Sequence, residues 1–201
     1  MATTPTTVPA APAPVARRRL GPAERRSQIL AAAAGPFASA GFTQTSIAAI
    51  AAAAGVTPRI VYRHFPSKDA VYRALLDQTH DRLAVVFAEP VGPYGVDPAV
   101  LLAAGRADVA GFRILWRHAA HEPAHRPVAE ASRAAAVACA RQGLASWTPP
   151  ESVEWAARAV VGYQLEAVLN WLDYGTPSDD ARFARATRAA LAAGVRAWAN
   201  D

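Results

Sequence analysis

The chain has 201 residues, 52% apolar and 18% charged, with a formal net charge of +5, an ordinary balance for one large globular domain or two small ones. Alanine, the strongest helix former, fills 51 positions, which argues against a β-sandwich, since that fold needs recurrent β-branched and aromatic runs. The single cysteine, Cys139, excludes an internal disulfide framework and a cysteine-based zinc cluster, and no apolar run reaches the roughly 18 residues of a membrane-spanning helix.

Charge is segregated along the chain. Residues 1–80 hold nine cationic side chains (Arg17, Arg18, Arg19, Arg25, Arg26, Arg59, Arg63, Lys68 and Arg73) against three acids, Glu24, Asp69 and Asp77. Residues 81–201 hold twelve arginines against thirteen acids. The excess positive charge therefore sits at one end, which points to a polyanion partner there and a different task for the rest. The composition and the lack of a membrane segment fit a cytoplasmic protein.

Met1 to Ala16 is Ala, Thr and Pro with a few valines, too poor in large apolar groups to pack, and is expected to be a disordered tail. Arg25-Arg26-Ser27 ahead of an apolar stretch, with Ala38-Ser39-Ala40 beyond, has the outline of an export signal. That stretch is mainly alanine and is interrupted by Gly35-Pro36, and the same residues fit a helix of the fold. From Pro22, a good first helical residue, apolar positions recur at Ile29, Leu30, Ala33 and Phe37, the spacing of a helix. Gly41 is placed to end it, and Pro36 is expected to kink its last turns. Thr45 or Ser46 caps a second helix carrying Ile47, Ile50 and Ala51, which stops at Gly55. Thr57-Pro58 starts a third helix running to about Phe65. Pro66 ends it, and Ser67 caps a long fourth helix to about Glu89.

The second and third helices, joined through Gly55-Val56-Thr57, make a helix-turn-helix. Val61 and Phe65 are i,i+4 partners that must face inward, with Val56 beside them. Arg59 and Arg63, also i,i+4, are then left outward with Ile60. Arginine can donate two bonds to guanine O6 and N7, and an aliphatic group can touch a thymine methyl, so this helix suits a DNA major groove. Thr45, Ser46 and Thr57 bring hydroxyls to helix starts, where phosphate is attracted. Tyr62 and His64 flank the reading face, each able to bond the backbone. Lys68, the single lysine, lies in a helix first turn, where a cation opposes the dipole and gains from a shared phosphate.

Residues 24–77 resemble the DNA-binding domain of the TetR family of bacterial transcriptional regulators. The resemblance rests on Ile29-Leu30-Ala31-Ala32, Phe37, Gly41-Phe42, Thr45-Ser46-Ile47, Ile50-Ala51, Ala54-Gly55-Val56-Thr57, Tyr62, His64-Phe65 and Ser67-Lys68-Asp69. Pro36, Arg59 and Ile60 depart from the family pattern. At 59 and 60 the family often has a small residue and a Thr or Ser, so Arg59 is expected to read a base and the target sequence to be unusual. The resemblance implies an all-α fold: a disordered tail over 1–16, the helix-turn-helix domain over 17–66, and a helical effector-binding and dimerisation domain over 67–201.

Beyond a loop at 90–96, Asp97-Pro98 starts another helix. Helical segments follow from about Ala110 to Ala120, Val128 to Gly143, Glu151 to Tyr174 and Ser178 to Trp198. The last pair carries broad apolar faces, including Val161, Leu165, Val168 and Leu172 on one and Leu191, Val195 and Trp198 on the other. One chain can hardly cover both, so these seven residues are expected to form a homodimer interface; the family resemblance implies that it is a four-helix bundle made from two such pairs. Phe112, Trp116, Trp147, Trp155 and Tyr163 could wall an effector pocket, with Arg113 orienting an anionic effector. His118, His121 and His125 have spacings that suit metal, but Pro123 breaks that helix, and the expectation is a polar helix end with no metal and no cofactor. No phosphate-cradling Gly loop, nucleophile elbow or paired-carboxylate motif marks an enzyme. The function expected is a sequence-specific DNA-binding regulator, a repressor released from a double-stranded operator by a small molecule. The alternative is an architectural or partner-controlled DNA-binding protein without an effector.

Overall fold

Helix α1 (Pro22–Gln44) starts where Pro22 predicts, with the Gly21 amide donating to Glu24 Oε2 at 2.8 Å. The computed structural model describes residues 20–88, 92–146 and 148–199; the 1–16 tail, Arg17 to Arg19 and Trp147 lie outside them. Ile29, Leu30, Ala33 and Phe37 form the buried stripe of α1. The non-helical backbone inside it falls at Gly41 (φ 70°, ψ −178°) rather than at Pro36, in a region open essentially to glycine alone. The Pro36 carbonyl accepts from the Ser39 hydroxyl at 3.1 Å, and Thr45 Oγ1 lies at the same distance.

Helices α2 (Ile47–Ala53) and α3 (Pro58–His64) lead into α4 (Lys68–Phe87). α4 packs on α1 at one end and reaches into the second domain. There α5 (Pro98–Ala107), α6 (Val109–Arg113), α7 (Arg126–Leu144), α8 (Val153–Tyr174) and α9 (Asp180–Ala199) complete an all-α chain among the described residues. Between α5 and the segment expected from about Ala110, Asp108 leaves helical dihedrals and caps α6 by accepting from the Gly111 amide at 2.9 Å; within the expected 110–120 helix, α6 ends at Arg113. A π-helical turn (Ile114–His118) and a 3-10 turn (Ala119–His121) then carry the chain to α7.

The structure revises the reading of the last two helices. Val161, Leu165, Val168, Leu172, Leu191 and Val195 are all buried inside the chain itself, and Trp198 is half-buried. Helices α5 and α7 cover the apolar face of α8, and α5 also packs on α9. One chain therefore does bury these faces. The surface that α8 leaves open carries Trp155, Tyr163 and Tyr174, which are 47%, 45% and 85% exposed, with the small residues Ala159, Gly162 and Ala167 between them.

Candidate nucleic-acid interface

The turn between α2 and α3 is set by backbone chemistry. Gly55 holds φ 64°, its amide donates to Ala52 O at 3.1 Å and the Val56 amide to Ala51 O at 3.0 Å. This is the paired C-terminal closure that favours glycine at the left-handed position. Ser46 caps α2 by accepting from the Ala49 amide at 3.1 Å, while the exposed Thr57 caps α3 without a side-chain bond. The Gln28 side-chain amide donates to Ala54 O at 3.2 Å and so ties α1 to the turn.

Orientation of α3 follows from its two buried anchors. Val61 and Phe65 are 0% and 1% exposed, and burying each such side chain contributes about 1.5–3 kcal/mol. Arg26 lies over the Phe65 ring, 4.5 Å from its centre. With that face fixed, Arg59 and Arg63 stand exposed one turn apart, and neither has an ion pair or hydrogen bond among the described residues. Tyr62 beside them is 54% exposed. Two free guanidiniums and a phenol on one short helix can donate to base edges and phosphates together.

Other expected DNA contacts have internal roles in this chain. Thr45 is 3% exposed, and its hydroxyl donates to Gly41 O at 2.7 Å, satisfying the carbonyl that the Gly41 break leaves open. Ile60 is half-buried and packs against the core. The half-buried His64 turns Nε2 into the protein, where it has no partner. Lys68 donates to Phe42 O at 2.7 Å, approaches Thr43 O at 3.4 Å, and lies over the Phe42 ring. It therefore caps the end of α1, a bond between residues 26 apart in sequence that no local pattern announces. Ser46, Thr57, Arg59, Tyr62 and Arg63 remain as the outward set.

The aromatic residues expected at an effector site are not gathered in one place. Phe112 and Trp116 are buried with ring centres 6.2 Å apart, while Trp155 and Tyr163 lie on the open side of α8. Arg113 and Arg117 share the Asp173 carboxylate at 2.7 Å each. His118 bonds Ala38 O at 3.0 Å, His125 is buried against the Phe42 and Tyr72 rings, and His121 is exposed. Among the described residues no cluster of His, Cys, Asp and Glu could hold a metal ion, and no helix is long and apolar enough to cross a membrane.

Comparison with known proteins agrees with this geometry. The sequence profile described as "Bacterial regulatory proteins, tetR family" matches residues 29–75, which run from the first anchor of α1 into α4. The HTH-type transcriptional regulator TtgR of Pseudomonas putida is 45% identical over 64 residues, 30% of this chain and 30% of that protein. The match thus spans about a third of the curated relatives' length. A TetR-like transcriptional regulator from Rhodococcus sp. RHA1 superposes with a TM-score of 0.69 at 24% identity, over 87% of this chain and 99% of the other, a likeness of fold. A tetR-family transcriptional regulator from Streptomyces coelicolor gives 0.64 at 29% identity, over 89% and 85%. The segment that carries the helix-turn-helix, residues 29–75, is thus the part of the chain that matches the tetR family of bacterial regulatory proteins.

Proposed function

We propose that the protein is a homodimeric, sequence-specific DNA-binding transcriptional regulator that represses from an operator and is released by a small-molecule effector. The observation carrying this reading is the exposed, unpaired Arg59 and Arg63 on a helix whose other face is locked by Val61 and Phe65. Two copies would set their α3 helices in successive major grooves, about 34 Å apart along the duplex. The open face of α8, with Trp155, Tyr163 and Tyr174 around small residues, is the surface offered to the second copy. An effector favouring a conformation with a different α3 separation would lower DNA affinity by its differential binding to the two conformations.

The effector would act through the second domain, where α4, α5 and α6 line an open, largely apolar recess with Phe112 in its wall. Selection of bound fragments from genomic DNA, followed by footprinting, tests the DNA reading. A two-fold symmetric footprint whose half-sites lie about one helical turn apart is expected. Uniform binding to all fragments would overturn it.

A further inference from the structure

We infer that the recess between α4, α5 and α6 is a binding site for a small, uncharged, monocyclic aromatic compound, and that the Arg82–Asp108 ion pair forms its mouth. The inference deepens the effector reading above and rests on it only for the consequence to DNA, not for binding.

The recess measures about 190 Å³ and is walled by Leu83, Val86, Ala104, Ala107 and Phe112, with Thr79, Arg82 and Asp108 at its polar edge. An apolar cavity of about 150 Å³ is enough to take up benzene, so one substituted ring fits in the recess. Phe112 offers a ring for edge or offset contact. The small side chains of Ala104 and Ala107 leave the space that a larger residue would occupy.

Polarity sets the charge of the occupant. Arg82 and Asp108 pair with each other. Thr79, 4% exposed, donates from Oγ1 to Asp108 Oδ2 at 3.3 Å. The other Asp108 oxygen accepts from the Gly111 amide, and a Cβ on Gly111 would collide with the Asp108 carboxylate and the Thr79 hydroxyl. This edge is therefore internally neutral. A ligand carboxylate would have to displace Asp108 from Arg82, whereas a neutral ring bearing one hydroxyl could join the Thr79–Asp108 bonds and leave the pair intact.

The pair also lines a larger open groove of about 620 Å³ between α1 and α4, so it forms a partition between that groove and the recess. Arg82 is 46% exposed, and an arm so exposed to water can swing aside at little cost. Thr79, Arg82, Leu83 and Val86 all belong to α4, the helix that bears on the DNA-binding domain. Occupancy would thus press on the element linking the two domains.

Phenol and benzoate are the probes, titrated by calorimetry into the full-length wild type, Ala104→Leu and Ala107→Leu, without DNA. Circular dichroism and binding to random-sequence DNA at low salt serve as fold controls. Saturable one-to-one phenol binding is expected, with benzoate and both filled variants weaker by about tenfold or more. Ala107 is exposed, so its variant reports on the recess even where Ala104→Leu disturbs the core. No saturable phenol binding by the wild type, equal binding by the folded variants, or benzoate binding as tight as phenol would overturn the inference. A wild type that binds no DNA in the absence of phenol would instead count against the regulator reading.

Discussion

Glu122 Oε1 accepts a hydrogen bond from the backbone amide of Phe42 at 3.2 Å, joining the second domain to the end of α1. His118 Nε2 makes a parallel contact with Ala38 O at 3.0 Å. On the opposite side, Lys68 of α4 donates to Phe42 O. The last turn of α1 is thus held between α4 and the 118–122 segment, just ahead of the helix-turn-helix. Burial foremost, together with the nearby Glu122 charge, pushes the Tyr72 hydroxyl well above its ordinary range.

Removing the Glu122 acceptor should therefore weaken the junction. Glu122→Ala is expected to lower stability to urea by about 1–3 kcal/mol, since it leaves a backbone donor without its partner. Glu122→Gln, which keeps an acceptor, should lose less than half of that. Equal midpoints for Glu122→Ala and wild type would show that the contact contributes nothing to stability.

The end of α8 is held to α9 by a titratable group. Asp180 accepts from Arg106 Nε and Nη2 at 3.1 and 2.9 Å and from Trp171 Nε1 at 2.7 Å. The Arg106 bonds foremost, aided by the Trp171 bond and the Arg106 charge and opposed by partial burial, hold its carboxyl below the usual value of 3.8. The folded state thus resists protonation more than the unfolded chain does. The contribution of Asp180 is fully present above the unfolded value and fades as pH falls through the folded one. Asp180→Asn should be less stable than wild type at pH 7, with the gap closing below about pH 4. A gap that stays constant from neutral to acid, measured by thermal unfolding, would contradict this.

The proposed dimerisation through the open face of α8 is open to a simple charge test. Tyr163→Glu places a carboxylate at an exposed position and should leave helicity unchanged. It should raise the dimer dissociation constant at least about tenfold, some 1.4 kcal/mol, as read by sedimentation. A variant that remains as dimeric as the wild type would place the interface elsewhere.

The helix-turn-helix was legible because its determinants are local. Thr57-Pro58 marks the start of α3, Gly55 the turn, and the i,i+4 pairs 61/65 and 59/63 separate inside from outside. A boundary ahead of Ala110 is legible, but the residue that makes it, Asp108, is not. Ala107-Asp108-Val109 contains neither Gly nor Pro, and the aspartate stops α5 by capping α6 and pairing with Arg82, 26 residues away. Lys68 looks like a phosphate contact in the sequence because its carbonyl partner, Phe42 O, comes near only when α4 folds against α1, and Thr45 does so because its bond to Gly41 O depends on the break at Gly41. The apolar faces of α8 and α9 need cover, but the pattern on one helix does not say whether α5 and α7 or a second chain supplies it. The residues that α8 leaves to solvent became visible only once that cover was in place.

The central claim is that α3 reads DNA with Arg59 and Arg63. The most direct measurement compares the wild type with Arg59→Ala and Arg63→Ala on a selected operator and on its single-base-pair variants, at several salt concentrations. Arg59→Ala is predicted to cost about 1–3 kcal/mol on the operator and to abolish preference at one base pair, leaving random-sequence affinity nearly intact. A loss that is the same on every sequence, or no loss at all, would show that this helix face does not read the operator.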